Sequence, residues 1–328
     1  METLLLDRSA VESAAGIEDV VAAVEDAFAA YARGDTLMPP KSYIELDEYN
    51  GDFRSMPAYM DAQSWDAAGI KWVNVHPDNP DRFDLPTVMA TVIYSDPETA
   101  YPLAIMDGTS VTLLRTGAAA AVATKYLAVE DANSLGLIGA GDQAVTQLEA
   151  IRAVRPIERV IVNDIDRAAV DAFIERYEDR FDIAAGSVAE AASCDVLSTV
   201  TPVRTPIVES ADVGDHTHIN AMGADAAGKQ ELDPAILQAG RLIIDDYEQC
   251  THSGEINVPW ADGVLDDADI DGELGDVVVG SLEGRRSTDG VTVFDSTGLA
   301  IQDIATARVV FESAEGGDLG VSMNLLGV

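Results

Sequence analysis

Basic residues are what this chain lacks most. Against 58 aspartates and glutamates it carries 20 lysines and arginines, for a net charge of −38. Such an excess repels nucleic-acid phosphates and anionic membrane surfaces, so neither is an expected partner. The acids are spread along the whole chain rather than gathered in a tail. Together with a 47% apolar content they suit a folded protein with a carboxylate-covered surface. Such a surface is expected where salt is high and screening strong, so a halophilic source is expected. Cysteine is nearly absent: Cys194 and Cys250 are too few for a disulfide framework and have no metal-ligand spacing. The four histidines (His76, His216, His218 and His252) form no paired-ligand motif, so no metal is expected. His216 and His218 alternate along a predicted strand, where packing or capping is the expected role. No apolar run approaches the roughly 18 residues of a membrane span. No basic stretch opens the N-terminus, so no signal peptide is expected and a cytoplasmic protein is. Aromatics are only 6% of the chain, and alanine, valine and glycine carry much of the apolar load. That mix suits an α/β architecture better than a β-sandwich.

The scarcity of lysine makes the few that remain informative. Lys41, Lys71, Lys125 and Lys229 persist beside sixteen arginines. Lys125, on a predicted helix, reads as a surface residue. Lys41, Arg54 and Lys71 sit on or beside predicted strands, and Arg115 on a predicted helix. Basic side chains in an apolar context need an anionic partner, either a buried acid or a substrate carboxylate. A lysine close to a substrate can also move protons.

Hydrophobic periodicity divides the chain into two textures. Residues 17–33 have apolar positions at helical spacing, and Gly34 stops the helix. Strands are predicted over 41–46, 53–59, 69–76, 87–95 and 102–106, and a helix over 109–127. Beyond that, short apolar strands at 134–140, 159–164, 181–185, 195–200, 217–222 and 241–246 alternate with helical or loop segments, as in a parallel doubly wound sheet. A strand at 291–295 and a helix at 299–313 follow. The acidic segment 261–276 reads as a solvated loop or short helix.

Gly139-Ala140-Gly141-Asp142-Gln143-Ala144 fits the G-x-G-x-x-A pattern. Its first glycine permits a tight turn, and its second lets the backbone approach a pyrophosphate. The small Ala144 allows close helix–strand packing. The motif follows a predicted strand and opens a predicted helix, whose N-terminal N–H groups suit phosphate. The next strand ends at Asp164. An acid there suits the ribose 2′-hydroxyl of NAD and would repel a 2′-phosphate. Asp166 is the other candidate; Asp164 is preferred because it closes the strand.

Seven stretches then carry a resemblance over nearly the whole chain: residues 53–60, 69–80, 85–124, 136–144, 198–208, 218–233 and 294–303. In them the sequence resembles the ornithine cyclodeaminase/mu-crystallin family, which includes archaeal alanine dehydrogenases and ketimine reductases. The resemblance implies that residues 1–112 and 299–328 form a mixed α+β substrate-binding and dimerisation domain. Residues 113–298 would form an NAD-binding Rossmann domain inserted into it, and two copies would pair as a homodimer. It implies that Arg54 and Lys71 meet a substrate carboxylate, that Lys71 also moves the proton, and that Lys41 lies nearby. Arg115 and Thr116 would contact cofactor phosphate, Arg115 also lying near substrate, and Thr87 would touch the cofactor. Asp142, Gln143 and Asp164 fall in the dinucleotide site. Asp225 matches the acid that cyclodeaminases use on the substrate amine, and Lys229, Ser296 and Thr297 line the same region. The chain departs from the family pattern at Ala226-Ala227. The expected activity is NAD-dependent oxidation of a small L-amino acid, first of all L-alanine to pyruvate and ammonium. Ornithine cyclodeamination, ketimine reduction and a non-catalytic NAD-binding role are the alternatives.

Overall fold

The computed structural model describes residues 2–327. Sixteen strands run along the described chain. They are β1 (Thr3–Leu6), β2 (Thr36–Leu37), β3 (Ser42–Leu46), β4 (Gly51–Asp61), β5 (Asp66–Val75), β6 (Val88–Ser95), β7 (Pro102–Asp107) and β8 (Ser134–Ile138). Then come β9 (Arg159–Asn163), β10 (Asp182–Ala185), β11 (Val196–Thr199), β12 (His218–Ala221), β13 (Arg241–Ile244), β14 (Ile270–Glu273), β15 (Thr292–Asp295) and β16 (Val321–Met323). The chain divides into two compact units, Met1–Arg115 with Leu299–Val328, and Thr116–Gly298. The first division falls inside the helix Gly108–Leu127, three residues beyond the expected 112/113.

In the first unit the strand order is β16-β1-β7-β6-β5-β4-β2, with β3 also on β4. β4 to β7 form an antiparallel meander, whereas β1 joins β7 in parallel. Strand alternation sends Arg54, Met56, Ala58 and Met60 of β4 to one buried face. Over that face lie the helices Ile17–Arg33 and Ala300–Ala314, which also pack on each other. The predicted helix 17–33 is found over Ile17–Arg33, ended by Gly34 in the left-handed conformation. β1, β16 and the helix Arg8–Ala14 were not foreseen. They are too short for periodicity to show, and β16 has no buried residue to alternate.

The second unit is an all-parallel sheet in the order β10-β9-β8-β11-β12-β15-β13-β14. Its centre has the doubly wound order of a dinucleotide-binding fold. β11, β12, β13 and β15 are buried throughout, as a sheet covered on both faces requires. One expectation fails here. The acidic segment 261–276 is not merely a loop or helix: it supplies the edge strand β14. Leu265 and Leu274 anchor the segment in the core, and the Asp271 carboxylate accepts from Leu242 N at 2.9 Å beside a register shift. Acids are tolerated on an edge because their other side faces water.

Candidate active site

The first unit gathers three ionic side chains in its interior. Lys71 on β5 is 1% exposed. Its Nζ lies 2.8 and 2.7 Å from the two carboxylate oxygens of Asp303, and donates to Thr112 Oγ1 at 3.3 Å. Arg115 stands one helical turn beyond Thr112 and so shares its face. Its Nε donates to Asp303 Oδ1 at 3.2 Å, and its Nη1 reaches Gln302 Oε1 at 3.5 Å. Burial pulls the Lys71 amine down to about 8; the Asp303 charge opposes this, while Arg115 and Lys41 add to the fall. Lys41 thus lies within electrostatic reach of Lys71. Arg54 is opposite Val73 in the β4–β5 register, so it leaves the same sheet face as Lys71. Its guanidinium makes a paired contact with Asp52, at 2.9 and 3.0 Å, and lies over the Tyr43 ring. Thr87 lies just before β6, its carbonyl accepting from His76 N at 2.8 Å.

Asp303 was not singled out from the sequence, where it is one acid among 58. One signal could have found it. It sits in a run, Ala300-Ile301-Gln302-Asp303-Ile304-Ala305, that is otherwise almost wholly apolar, and an ionised group there demands a partner.

The second unit carries the glycine loop. Gly139 follows β8 with φ +105°, and a Cβ on it would meet Val200 Cγ2 at 2.8 Å. Gly141 caps the helix Asp142–Val154, and a Cβ on it would meet nothing within 4 Å. The loop therefore leaves room for a pyrophosphate over the helix N-terminus. Gln143 Oε1 is buried with no hydrogen-bond partner among the described residues, a further polar atom available to a ligand. Asp142 is exposed. Asp164 follows β9, and its carboxylate accepts from Ala140 N at 2.7 Å and Asp166 N at 2.8 Å, so it is tied to the loop. Asp166 itself caps the next helix. These features fit a dinucleotide. Thr116 is buried, its carbonyl accepting from Gln147 Nε2 at 3.3 Å.

Asp225 and Lys229 form an ion pair at 2.5 Å, with side chains 40% and 21% exposed. Ser296 and Thr297 are tied to a residue that sequence reasoning passed over. Asp245, buried at the end of β13, accepts from Ser296 Oγ at 2.9 Å, Gly298 N at 2.9 Å and Thr297 Oγ1 at 3.4 Å. Behind it lie three more buried acids. Asp295 accepts from Glu255 N and Ile256 N; Glu255 from Glu231 N and Leu232 N; Glu231 from the Thr199 and Thr201 hydroxyls and from Gly223 N. Burial raises all three, Asp295 to about 7, and the neighbouring Glu231 charge pushes Glu255 further.

His218 is a buried packing residue, whereas His216 and His252 are exposed. His218 bridges Thr292 Oγ1 at 3.0 Å and Asn220 Oδ1 at 3.1 Å, and burial drops it to about 3. His216 is exposed before β12 begins, so the two do not share a strand face. Among the described residues no His, Cys, Asp and Glu group is arranged to hold a metal, and no helix is long and apolar enough to cross a membrane. Both cysteines are free and buried.

The chain is similar to known proteins along its length. The alanine dehydrogenase of Archaeoglobus fulgidus is 49% identical over 321 residues, covering 98% of both chains. A solved archaeal alanine dehydrogenase dimer with bound NAD superposes with a TM-score of 0.94 at 47% identity, over 99% of this chain and 100% of that one. The Thermococcus litoralis Δ1-pyrroline-2-carboxylate reductase, solved with NADH and L-proline, gives 0.92 at 36% identity, over 97% and 99%. The family model for ornithine cyclodeaminase and mu-crystallin matches residues 1–318, and the chain belongs to the ornithine cyclodeaminase/mu-crystallin family.

Proposed function

We propose that this protein is an NAD-dependent L-alanine dehydrogenase, converting alanine, NAD and water to pyruvate, NADH, ammonium and a proton. The observation that carries the reading is the buried Lys71 amine, lowered to about 8 amid the cations Arg115 and Lys41. A proton acceptor poised near working pH is what removal of the substrate's ammonium proton requires. Arg115, Arg54 and Lys41 supply positive charge for the substrate carboxylate, and a guanidinium can grip it through two parallel hydrogen bonds. In the second unit the Gly139–Gln143 loop would hold the pyrophosphate and Asp164 the adenosine ribose; Thr87, Thr116, Lys229 and Ser296 complete the proposed cofactor contacts, and Thr297 the substrate contacts. The bound nicotinamide supplies the hydride acceptor. Lys71 takes the proton from the amine beforehand and returns one to the departing ammonia afterwards, when water has added to the substrate imine.

The small substrate is favoured over a diamine because Lys229 already holds the Asp225 carboxylate, which a distal amine would have to win. We further propose a homodimer. The sheet face opposite the helices carries Phe53 stacked on Trp72 at 5.2 Å, with Trp72 and Ile93 exposed, and the solved archaeal relative is a dimer. Adaptation to high salt agrees with the acidic composition, and we propose a cytoplasmic enzyme.

The test is absorbance at 340 nm in high-salt buffer, with NAD plus L-alanine or L-ornithine. Steady NADH accumulation with alanine is expected. Proline and ammonia from ornithine, with no net NADH and no alanine oxidation, would replace this reading with cyclodeamination.

A further inference from the structure

Three elements converge on Asp303. It lies near the start of the helix Ala300–Ala314, and its side chain has no exposed surface. Lys71 arrives from β5 and Arg115 from the helix Gly108–Leu127, and both donate to the same oxygen, at 2.8 and 3.2 Å. Aspartate is a poor helix former and costly to bury, so its place there needs compensation. Part comes from the positive end of its own helix, within about a turn. The rest comes from the two cations.

The balance of charge is uneven. Two cations share one anion, leaving the trio with one positive charge in excess, whereas Arg54 is matched by Asp52. Among the described residues, the charged and polar groups that bear most on Lys71 are Asp303 from one helix, Arg115 and Thr112 from another, and Lys41 from the segment before β3. Asp303 is the only one of them that is negative. With that charge removed, two cations would face each other in a dry interior, and an ammonium so placed sheds its proton readily.

We propose that Asp303 is a positioning residue: its buried carboxylate holds Lys71 and Arg115 in one geometry, and its charge sets how readily Lys71 takes up and gives up a proton. This deepens the alanine dehydrogenase reading, on which it rests for the role of Lys71.

The four lysines of the chain make the test direct. With 13C-labelled lysine, NMR follows the four side-chain signals through a pH titration, and the Lys71 signal is the one lost in Lys71→Ala. The native midpoint is expected near 8. In Asp303→Asn it falls by about one pH unit or more, the usual reach of a single close charge. Asp303→Glu, which keeps the charge, stays closer to the native value than Asp303→Asn does. An unmoved midpoint in Asp303→Asn overturns the proposal. The kinetic arm uses alanine and NAD: the acid limb of kcat/KM moves down with the NMR midpoint. A lowered kcat on an unmoved limb would mean that Asp303 merely supports the structure, and the proposal would fall. If alanine is not oxidised at all while the midpoint moves, the substrate reading fails and the role of Asp303 in setting Lys71 stands. Should Asp303→Asn not fold, Arg115→Gln reads the same trio with opposite sign. One cation fewer raises the Lys71 midpoint, and a midpoint that does not rise defeats the idea.

Discussion

The two units meet the buried charge at their candidate sites in different ways, although the second unit also holds a buried ion pair elsewhere, Arg241–Asp289. In the first, Lys71 and Arg115 are answered by a countercharge, Asp303. In the second, Glu231, Glu255 and Asp295 are answered by backbone N–H groups and hydroxyls, and none of the three forms an ion pair among the described residues. The Asp164 carboxylate is likewise held by Ala140 N and Asp166 N. The second unit is thus rich in backbone donors aimed at anions, the property a phosphate-binding unit needs. Around Lys71 the first keeps a titratable amine and a local surplus of positive charge, which suits an amino-acid carboxylate and a base.

The sharpest way to break this contrast is to remove the amine. Lys71→Ala should lower kcat for alanine oxidation by about 10²–10⁴-fold, the range for loss of a general base. NADH affinity, read from bound-cofactor fluorescence, should stay within about twofold of native by the same argument that proton transfer and cofactor binding are separate functions. Retained turnover would take Lys71 out of the chemistry.

Next come the two glycines. Gly139→Ala forces a side chain onto φ +105° and against Val200, so it should cost about 1–3 kcal/mol of stability as well as NADH affinity. Gly141→Ala places its methyl in open space, so its thermal midpoint should hardly move while NADH affinity falls. Equal destabilisation in the two would contradict this account of the loop.

The third effect is a pH dependence of stability. Asp295 is raised to about 7 and Glu255 is raised well above its ordinary range. A raised carboxyl contributes stability that is complete below its unfolded value, near 4, and is lost as pH rises through the folded value. His218, lowered to about 3, acts in the opposite sense, but only below about 6.5, and Lys71 opposes only above about 8. Between pH 6.5 and 8 the thermal midpoint should therefore fall. It should do so in molar salt as well, because screening reaches the surface charges and not the buried ones. Glu255→Gln should flatten the slope; a slope that vanishes in salt for the native protein would assign it to the surface instead.

The smallest effect belongs to Lys229→Ala. The pair with Asp225 is partly exposed, so its loss should change stability by less than about 1 kcal/mol in chemical unfolding. A larger loss would place that pair with the dry ones.

Much of this was legible in the chain itself. The helix Ile17–Arg33 shows its buried stripe in its spacing, and the parallel strands show as short apolar runs because both faces of their sheet are covered. The glycine loop reads directly because Gly139, at φ +105° and against Val200, tolerates few other residues. What stayed hidden depends on partners far away in sequence. Asp303 lies 232 residues from Lys71, and nothing local marks which of many acids meets a buried amine. β14 was missed because Asp and Gly argue against a strand, and only the anchoring of Leu265 and Leu274 overrides them.

The order of the two units along the chain has a consequence for biosynthesis. Thr116–Gly298 is complete before any residue of the helix Ala300–Ala314 leaves the ribosome, whereas the first unit needs that helix over β4, β5 and β6. The middle unit can therefore fold while the outer one waits, with one face of its sheet covered by the helix Ile17–Arg33 and not yet by Ala300–Ala314. Lys71 is translated 232 residues ahead of the carboxylate it finally meets, and the arrival of Asp303 with its helix both closes the core and completes the trio. A nascent chain cut short before residue 300 would hold the glycine loop and Lys71 and lack the carboxylate that holds the amine: a loop already built, with a trio still incomplete.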